Sequence, residues 1–254
     1  MSEIILNQSD RALLKKKEIS VSQVKSQIDA FIQGFPFLTI IRSAGPDSGL
    51  IQVTNKELSE YLIKWDSYLE KKKTILKFVP ASGAASRMFK DLFEFLDGVI
   101  DVPENEPVKQ FFAEINHFAF YDLLNACCLK NEGKDISALI QDAQFKKIID
   151  NLLNKKGLNY GALPKGLLLF HAYEQGKRTP LMEHLAEGAL YTMNKQGVVN
   201  IHFTVSAEHR QLFERHLDEV VGEFEAIYQA KFVVTFSEQK PSTDTIAADE
   251  NNQP

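Results

Sequence analysis

The chain has 254 residues, 44% of them hydrophobic, so it is long enough to bury a core and is excluded from the disordered class. A net charge of −5 gives no overall basic surface, which argues against nucleic acid as a partner, and no apolar run reaches the ~20 residues that span a bilayer. Because the N-terminus also lacks a signal-peptide pattern, we expect a cytoplasmic protein.

Residues 1–73 are predicted to form a helical N-terminal arm. Apolar residues recur at helical spacing over residues 10–33, with a break near Ser20. The segment 54–57 has the Thr-x-x-Glu pattern of a capping box and begins a further helix. On that helix Trp65 is expected to be a core residue.

A strand, a loop of small residues and a helix are predicted in succession from Ile75. The strand ends at Pro80, and the loop that follows consists of Ala81, Ser82, Gly83, Ala84, Ala85 and Ser86. Small side chains let a ligand approach the backbone, and the amides at the start of a helix favour an anion. Arg87 adds a guanidinium suited to phosphate oxygens. The segment is a candidate phosphate loop, although an ordinary turn between a strand and a helix has the same composition.

The segment from about residue 98 to residue 160 is predicted to be a helical insertion. Its periodicity is helical, it contains no convincing strand, and it is rich in phenylalanine. The expected core positions are Phe111, Phe112, Phe118 and Phe120. Cys127 and Cys128 are adjacent and have no second pair, so we expect buried, reduced thiols rather than a disulfide framework or a zinc site.

Strands and helices alternate in the last third of the chain. Thr179 is suited to cap a helix that begins at Pro180, because proline is favoured at the first helical position. Residues 198–205 and 231–236 have the composition of strands, and residues 208–228 between them have that of a long amphipathic helix.

This alternation predicts the fold class. Residues 74–239 are expected to form an α/β domain with a mostly parallel sheet and helices on both faces, interrupted by the helical insertion. Residues 240–254 are polar and acidic, and they are expected to be a tail or a connection to a further part of the protein.

Three motifs resemble the signature of sugar-phosphate nucleotidylyltransferases. In that family a Gly-rich turn precedes Thr-Arg or Ser-Arg, which the loop at 81–87 resembles with Ser82 and Ala85 in place of two glycines. The family next has a Pro-Lys pair, which the pair at 164–165 matches, but here it stands beyond the insertion, so the ends of the insertion must lie together. The segment 177–181 resembles the family's Lys/Arg-x-Pro-Leu helix start.

The resemblance implies a Rossmann-like fold of the GT-A type and a reaction. A nucleotidyl group, expected to be uridylyl, would pass from a nucleoside triphosphate to a sugar 1-phosphate, with release of pyrophosphate. The backbone of residues 82–86 would hold the triphosphate, Arg87 its β and γ phosphates, and Lys165 the α-phosphate. Gln239 is similar to the glutamine that faces uracil in UDP-sugar pyrophosphorylases. Mg²⁺ is implied as well, with a carboxylate ligand that this chain does not contain.

From about residue 10 to residue 249 the sequence also resembles a bacterial family of unknown function, DUF4301, whose members are longer, so the chain is expected to be an N-terminal half. The alternatives are a binding module for a nucleotide or sugar phosphate without catalysis, and a structural interaction protein that would use the Phe-rich insertion. His171, His184 and His202 follow no metal-binding spacing and are expected to be structural, and no metal ligand is assigned.

Overall fold

The computed structural model describes residues 6–34, 39–71 and 73–240. Contacts divide the chain into two units, one of Met1–Tyr68 with Gln239–Pro254 and one of Leu69–Glu238. The predicted tail beyond Lys240 lies outside the described residues. In the described part of the chain, no helix is both long enough and apolar enough to cross a membrane.

The predicted N-terminal helices are α1 (Gln8–Lys16), α2 (Val21–Gln33) and α3 (Asn55–Leu69). The predicted break is confirmed, because Ser20 caps α2. The capping box is confirmed as well: the Thr54 amide donates to Glu57 Oε2 (2.8 Å) and the Glu57 amide to Thr54 Oγ1 (3.3 Å). The core prediction for Trp65 is wrong. Its side chain is 38% exposed and stacks on Tyr68. No residue of α3 is buried, so the helix contributes no side chain to a core.

The second unit mixes strands with helices. Its strands are β1 (Leu76–Pro80), β2 (His171–Tyr173), β3 (Gly176–Arg178), β4 (Val198–Val205) and β5 (Lys231–Glu238). Its helices are α4 (Lys90–Asp97), α5 (Glu106–Ala113), α6 (Tyr121–Glu132), α7 (Ile136–Gln141), α8 (Phe145–Leu153), α9 (Pro180–Thr192) and α10 (Arg210–Tyr228). The predicted parallel sheet has the order β1–β4–β5, whereas β2 and β3 form a separate hairpin that was not predicted.

Helices cover one face of the parallel sheet. Alternate residues of β4, from Val199 to Val205, are buried and share a core with α9 and α10. Both crossovers step across the sheet in the same direction, and right-handed connections then place their helices on the same side. The prediction of helices on both faces is therefore wrong for the described residues, because the opposite face leaves Leu76, Phe78 and Val233 exposed.

The helices between β1 and β2 form a core of their own. The predicted phenylalanines belong to it, three of them buried and Phe118 partly buried, and the rings of Phe118 and Phe120 stack at 5.0 Å. This helical core includes residues from Ala85 to Leu168 and is wider than the predicted insertion at 98–160. The reason is that α4 packs against α5 and α8.

Both cysteines lie on α6, and neither forms a disulfide. Cys128 is buried, as predicted, whereas Cys127 is only half-buried. Burial, together with the adjacent Cys127, raises the pKa of the Cys128 thiol to about 12. Cys128 is therefore an inert thiol of the helical core at neutral pH.

A polar cluster lies where α6 meets α8. The fully buried Asn151 donates from Nδ2 to Glu132 Oε1 (3.0 Å) and to the Lys147 carbonyl (2.8 Å), and its Oδ1 accepts from Asn131 Nδ2 (2.6 Å). Lys156 Nζ donates to the same Glu132 oxygen at 2.9 Å. Because the Asn151 amide has partners for both its oxygen and its nitrogen, the cluster joins the two helices without an unsatisfied buried group.

The Glu132 carboxylate makes the stability of this cluster depend on pH. The hydrogen bond from Lys156 lowers the pKa of Glu132 below its ordinary value. A carboxylate whose pKa is lower in the folded state stabilises the protein above its unfolded-state pKa, and this stabilisation is lost as pH falls through the folded-state pKa. We expect Glu132→Gln to lower the free energy of unfolding at pH 7 by about 1–2 kcal/mol and by progressively less below pH ~4.5.

Urea denaturation of the wild type and Glu132→Gln at several pH values measures this difference. Glu94→Gln is the matched control, since Glu94 pairs with Lys90 at 3.7 Å but is 60% exposed, and an exposed pair of this kind contributes at most about 0.5 kcal/mol. A stability difference for Glu132→Gln that stays constant from pH 7 to pH 3 would contradict the prediction.

Candidate functional site

The loop after β1 lies beside the turn that contains the Pro-Lys pair. The Lys165 amide donates to the Gly83 carbonyl at 3.1 Å, and Ala84 forms an antiparallel β-bridge with Pro164. The helical insertion therefore leaves the sheet and returns to it at one place. This is the arrangement that the order of the motifs required.

The same two segments form the boundary between the two cores. Ala81 and Leu167 pack against the core of the sheet, whereas Ala85 and Leu168 are buried in the helical core. The main chain thus passes from one core to the other twice at adjacent positions. Packing on both sides holds the loop and the turn in place.

A cavity of about 170 Å³ opens at this boundary, beside the carboxyl end of β1. Its mouth and walls come from the loop, the turn and α9, and the rings of Phe203 and Phe213 complete the lining. Open α/β sheets bind ligands outside the carboxyl ends of their strands, which is where this cavity lies. We refer to it below as the junction cavity.

The first turn of α9 lines the junction cavity and is anchored by hydrogen bonds of Thr179. Thr179 is the N-cap, as predicted, and its Oγ1 accepts a hydrogen bond from the Met182 amide at 3.4 Å. The same hydroxyl is hydrogen-bonded to His216 Nε2 on α10 at 2.8 Å. Pro180 occupies the first helical position, where its missing N–H costs nothing.

Lys165 gives the junction cavity a positive charge. Its side chain is partly buried, and its ammonium group forms no ion pair or hydrogen bond with the residues that the structure describes. The next residue, Gly166, allows the Phe213 ring to pack against the turn, because a Cβ at Gly166 would lie 2.7 Å from Phe213 Cζ. A partly buried ammonium without a counter-charge attracts an anion.

His184 lines the junction cavity from α9. Its Nδ1 hydrogen-bonds to Glu187 Oε2 at 3.2 Å, and Glu187 also forms an ion pair with Lys77 of β1. The bond to Lys77 lowers the pKa of Glu187, so this carboxylate is ionised at neutral pH. Burial, reinforced by the charge of Lys77, lowers the pKa of His184 despite the opposing effect of Glu187. The imidazole is therefore neutral at pH 7.

Arg87 lies outside the junction cavity. It is exposed and borders a separate open concavity of about 450 Å³, and it has no ion-pair partner among the described residues. The sequence predicted that the loop would lead directly into an α-helix. Instead, a 3₁₀ turn over Ser86–Phe89 comes between the loop and α4. Of the predicted loop residues, Gly83 is exposed beside the junction cavity, whereas Ala85 is fully buried.

Gln239 directly follows the last residue of β5 and belongs to the other unit of the chain. Among the described residues, no group of three or more His, Cys, Asp or Glu side chains could hold a metal ion. The described lining of the junction cavity consists of cationic, neutral and apolar groups. These residues do not fit a magnesium site, which requires oxygen ligands such as carboxylates.

Residues 7–254 match the family model of DUF4301, described as a domain of unknown function. The chain belongs to the DUF4301 family. No curated protein and no solved structure matches it.

Two residues at the candidate site of this DUF4301 chain were not predicted from the sequence. His184 was expected to be structural, yet it lies on the junction cavity, and His216 anchors the start of α9 from a distant helix. A local signal existed for His184, which follows Leu181 by three residues and therefore shares its helix face. The contact of His216 with Thr179 depends on the packing of α10 against α9, and nothing local in the sequence indicated it.

Proposed function

We propose that this DUF4301 protein binds a nucleoside triphosphate at the junction cavity and transfers a nucleotidyl group, expected to be uridylyl, to a sugar 1-phosphate with release of pyrophosphate. The observation that carries the proposal is the hydrogen bond from the Lys165 amide to the Gly83 carbonyl. It places the Pro-Lys pair next to the small-residue loop, although the whole insertion separates them in sequence.

The proposed roles follow from charge and position. Lys165 meets the α-phosphate, where negative charge increases in the transition state, and the exposed backbone at Gly83 allows phosphate oxygens to approach closely. Arg87 meets the terminal phosphates where they extend beyond the junction cavity. Such chemistry requires positioning and charge neutralisation rather than a covalent nucleophile.

The size of the junction cavity limits what it can enclose. Pockets that enclose a whole drug-sized ligand have volumes of ~300–1,000 Å³, whereas this one has about 170 Å³. The proposal therefore places phosphate groups in the cavity and the nucleoside outside it. Mg²⁺ belongs to the proposal as an ion that would arrive with the triphosphate, and the roles above are those of the chain's own residues.

A non-catalytic module that binds a nucleotide or a sugar phosphate is the second candidate. The observation that favours it is the loop itself, in which Ser82 and Ala85 stand where the nucleotidylyltransferase signature has glycines. Such a module would bind nucleotide at the same cavity without turnover. Nucleotide binding together with release of pyrophosphate in the presence of a sugar 1-phosphate supports the proposed enzyme. Nucleotide binding without release of pyrophosphate supports the non-catalytic module.

Gly83→Ala tests the proposed contact between the loop and the phosphates. A Cβ at Gly83 would meet nothing within 4 Å, and the backbone there is not left-handed, so we expect no loss of stability. The methyl group would instead occupy the space that a phosphate requires, and we expect UTP to bind about tenfold or more weakly. Calorimetric titration with each of the four ribonucleoside triphosphates and Mg²⁺ measures the affinity.

Gly222→Ala is the control for this titration, since a Cβ on that residue of α10 also meets nothing within 4 Å. If Gly83→Ala and the wild type bind UTP with equal affinity, the loop backbone at Gly83 does not contact the phosphates. Absence of binding by the wild type for all four triphosphates would overturn the proposal and favour the interaction-protein alternative.

A further inference from the structure

We propose that His184 is an anion ligand of the junction cavity and takes up a proton when the anion binds. This inference rests on the proposed function, because it concerns the same phosphate site. It adds a residue for which the nucleotidylyltransferase resemblance implies no role. It also makes the affinity of the site dependent on pH.

Geometry makes the second ring nitrogen of His184 the one available for a ligand. Nδ1 is engaged by Glu187, and Nε2 forms no hydrogen bond with the described residues, while the ring lines the junction cavity. An ionised Glu187 accepts from Nδ1–H, so a neutral ring carries its lone pair on Nε2. A lone pair repels a phosphate oxygen, whereas a protonated Nε2 donates a hydrogen bond to it.

The charged groups around His184 come from three directions. Lys77 faces it from β1, Glu183 and Glu187 belong to its own helix, and Lys165 lies on the turn across the cavity. The remaining neighbours are aromatic: Phe203 of β4 has its ring centroid 6.1 Å from the imidazole, and Phe213 of α10 also lines the cavity. In the absence of an anion, burial and the charge of Lys77 oppose protonation of the ring, and they outweigh the opposite effect of Glu187 and Glu183.

A bound dianion reverses this balance. Its charge offsets that of Lys165 and stabilises the imidazolium, so the pKa of His184 is higher in the complex than in the free protein. Linkage then requires that the anion binds more tightly as pH falls, with a limit of about tenfold per pH unit for the uptake of one proton. The dependence is confined to the range between the free and bound pKa values.

Sulfate is the appropriate probe, because it remains a dianion from pH 8 to pH 6 and contributes no titration of its own. We expect its calorimetric affinity for the wild type to increase about fivefold or more over this range at constant ionic strength. Titrations in two buffers with different ionisation enthalpies measure the proton uptake directly, and we expect up to one proton per sulfate bound. This measurement on the wild type does not depend on the folding of any variant.

His184→Gln removes the titrating group, and we expect its sulfate affinity to be the same at pH 8 and pH 6. His202→Gln is the matched control, since the ring nitrogens of His202 bind Thr235 and Ser237 hydroxyls (both 2.8 Å) away from the junction cavity, and we expect the wild-type pH profile. Circular dichroism establishes that both variants are folded.

Two results would overturn the inference alone. One is sulfate binding to the wild type without proton uptake, and the other is a folded His184→Gln protein that keeps the wild-type pH dependence. If the wild type binds no sulfate at either pH, the phosphate site itself is overturned, and the proposed function fails together with this inference. The failure of the inference and that of the proposed function are therefore distinguishable.

Discussion

Lys165→Ala is expected to reduce nucleotidylyl transfer at least tenfold while leaving the affinity for the nucleotide mostly unchanged. The ammonium group is partly buried on the junction cavity and lacks a counter-charge among the described residues. If it meets the α-phosphate, its contribution is largest when charge accumulates there during transfer, and loss of one such donor slows a reaction by about 10²–10³-fold. Steady-state release of pyrophosphate from UTP and sugar 1-phosphates measures the effect.

Lys130→Ala provides the control for removal of a positive charge, since Lys130 is exposed in the last turn of α6. We expect it to have wild-type turnover. The melting temperature of Lys165→Ala is expected to be close to that of the wild type, because its ammonium group contacts no described residue. Turnover by Lys165→Ala equal to that of the wild type would exclude this residue from the mechanism.

Gly157→Ala is expected to produce the largest loss of stability, about 3 kcal/mol or more. Gly157 follows α8, and a Cβ there would lie 2.6 Å from the carbonyl carbon of Asn151 and closer still to its oxygen. These are backbone atoms, and the Asn151 carbonyl already accepts a hydrogen bond from the Leu158 amide at 2.8 Å. The chain must therefore move away from α8, and overpacking of this kind costs more than displacement of a flexible side chain.

Urea denaturation measures the free energy of unfolding of this variant. Gly222→Ala is again the matched control, because the same substitution at an exposed helical position without close neighbours is expected to stabilise the protein by about 0.5–1 kcal/mol. A midpoint for Gly157→Ala within error of the wild type would show that the loop after α8 adjusts without cost.

Elements with local signals were predicted well from the sequence. The strand β4 has the predicted bounds, Val198–Val205, and the helix α9 begins at Pro180 behind its Thr179 cap. These features depend on the composition and hydrogen bonding of a few neighbouring residues. The burial of the phenylalanines in the helical core was also predicted from local composition, because many large apolar side chains occur together in this segment.

Features that depend on tertiary contacts were not predicted. The coverage of one sheet face follows from the strand order, which no local pattern records. The helix α4 belongs to the helical core because it packs against α5 and α8. Trp65 is exposed although its helix has an apolar face. The hairpin of β2 and β3 has short strands with polar residues, so it lacks the alternation that identifies a strand.

The geometry of the candidate site was predicted in part. The order of the motifs required the loop and the Pro-Lys pair to meet, and Gly83 and Lys165 do so. Arg87 borders a different concavity, and it lies in a 3₁₀ turn rather than in an α-helix. His184 lies at the candidate site because α9 packs against β4 and β1. The motifs therefore identified the loop and the turn at which the chain passes between the two cores. The side chains that surround the cavity are determined by the tertiary fold.

The β-bridge between Ala84 and Pro164 also has a consequence for folding. Bringing these residues together from an unfolded chain closes a loop of about 80 residues, with an entropic cost of about 4 kcal/mol. Once the helical insertion has folded, its own packing holds its two ends together, so formation of the bridge no longer requires this loss of chain entropy. We therefore expect the helices to fold before the cavity forms, so that substitutions that slow the folding of α4 to α8 delay the recovery of ligand binding during refolding.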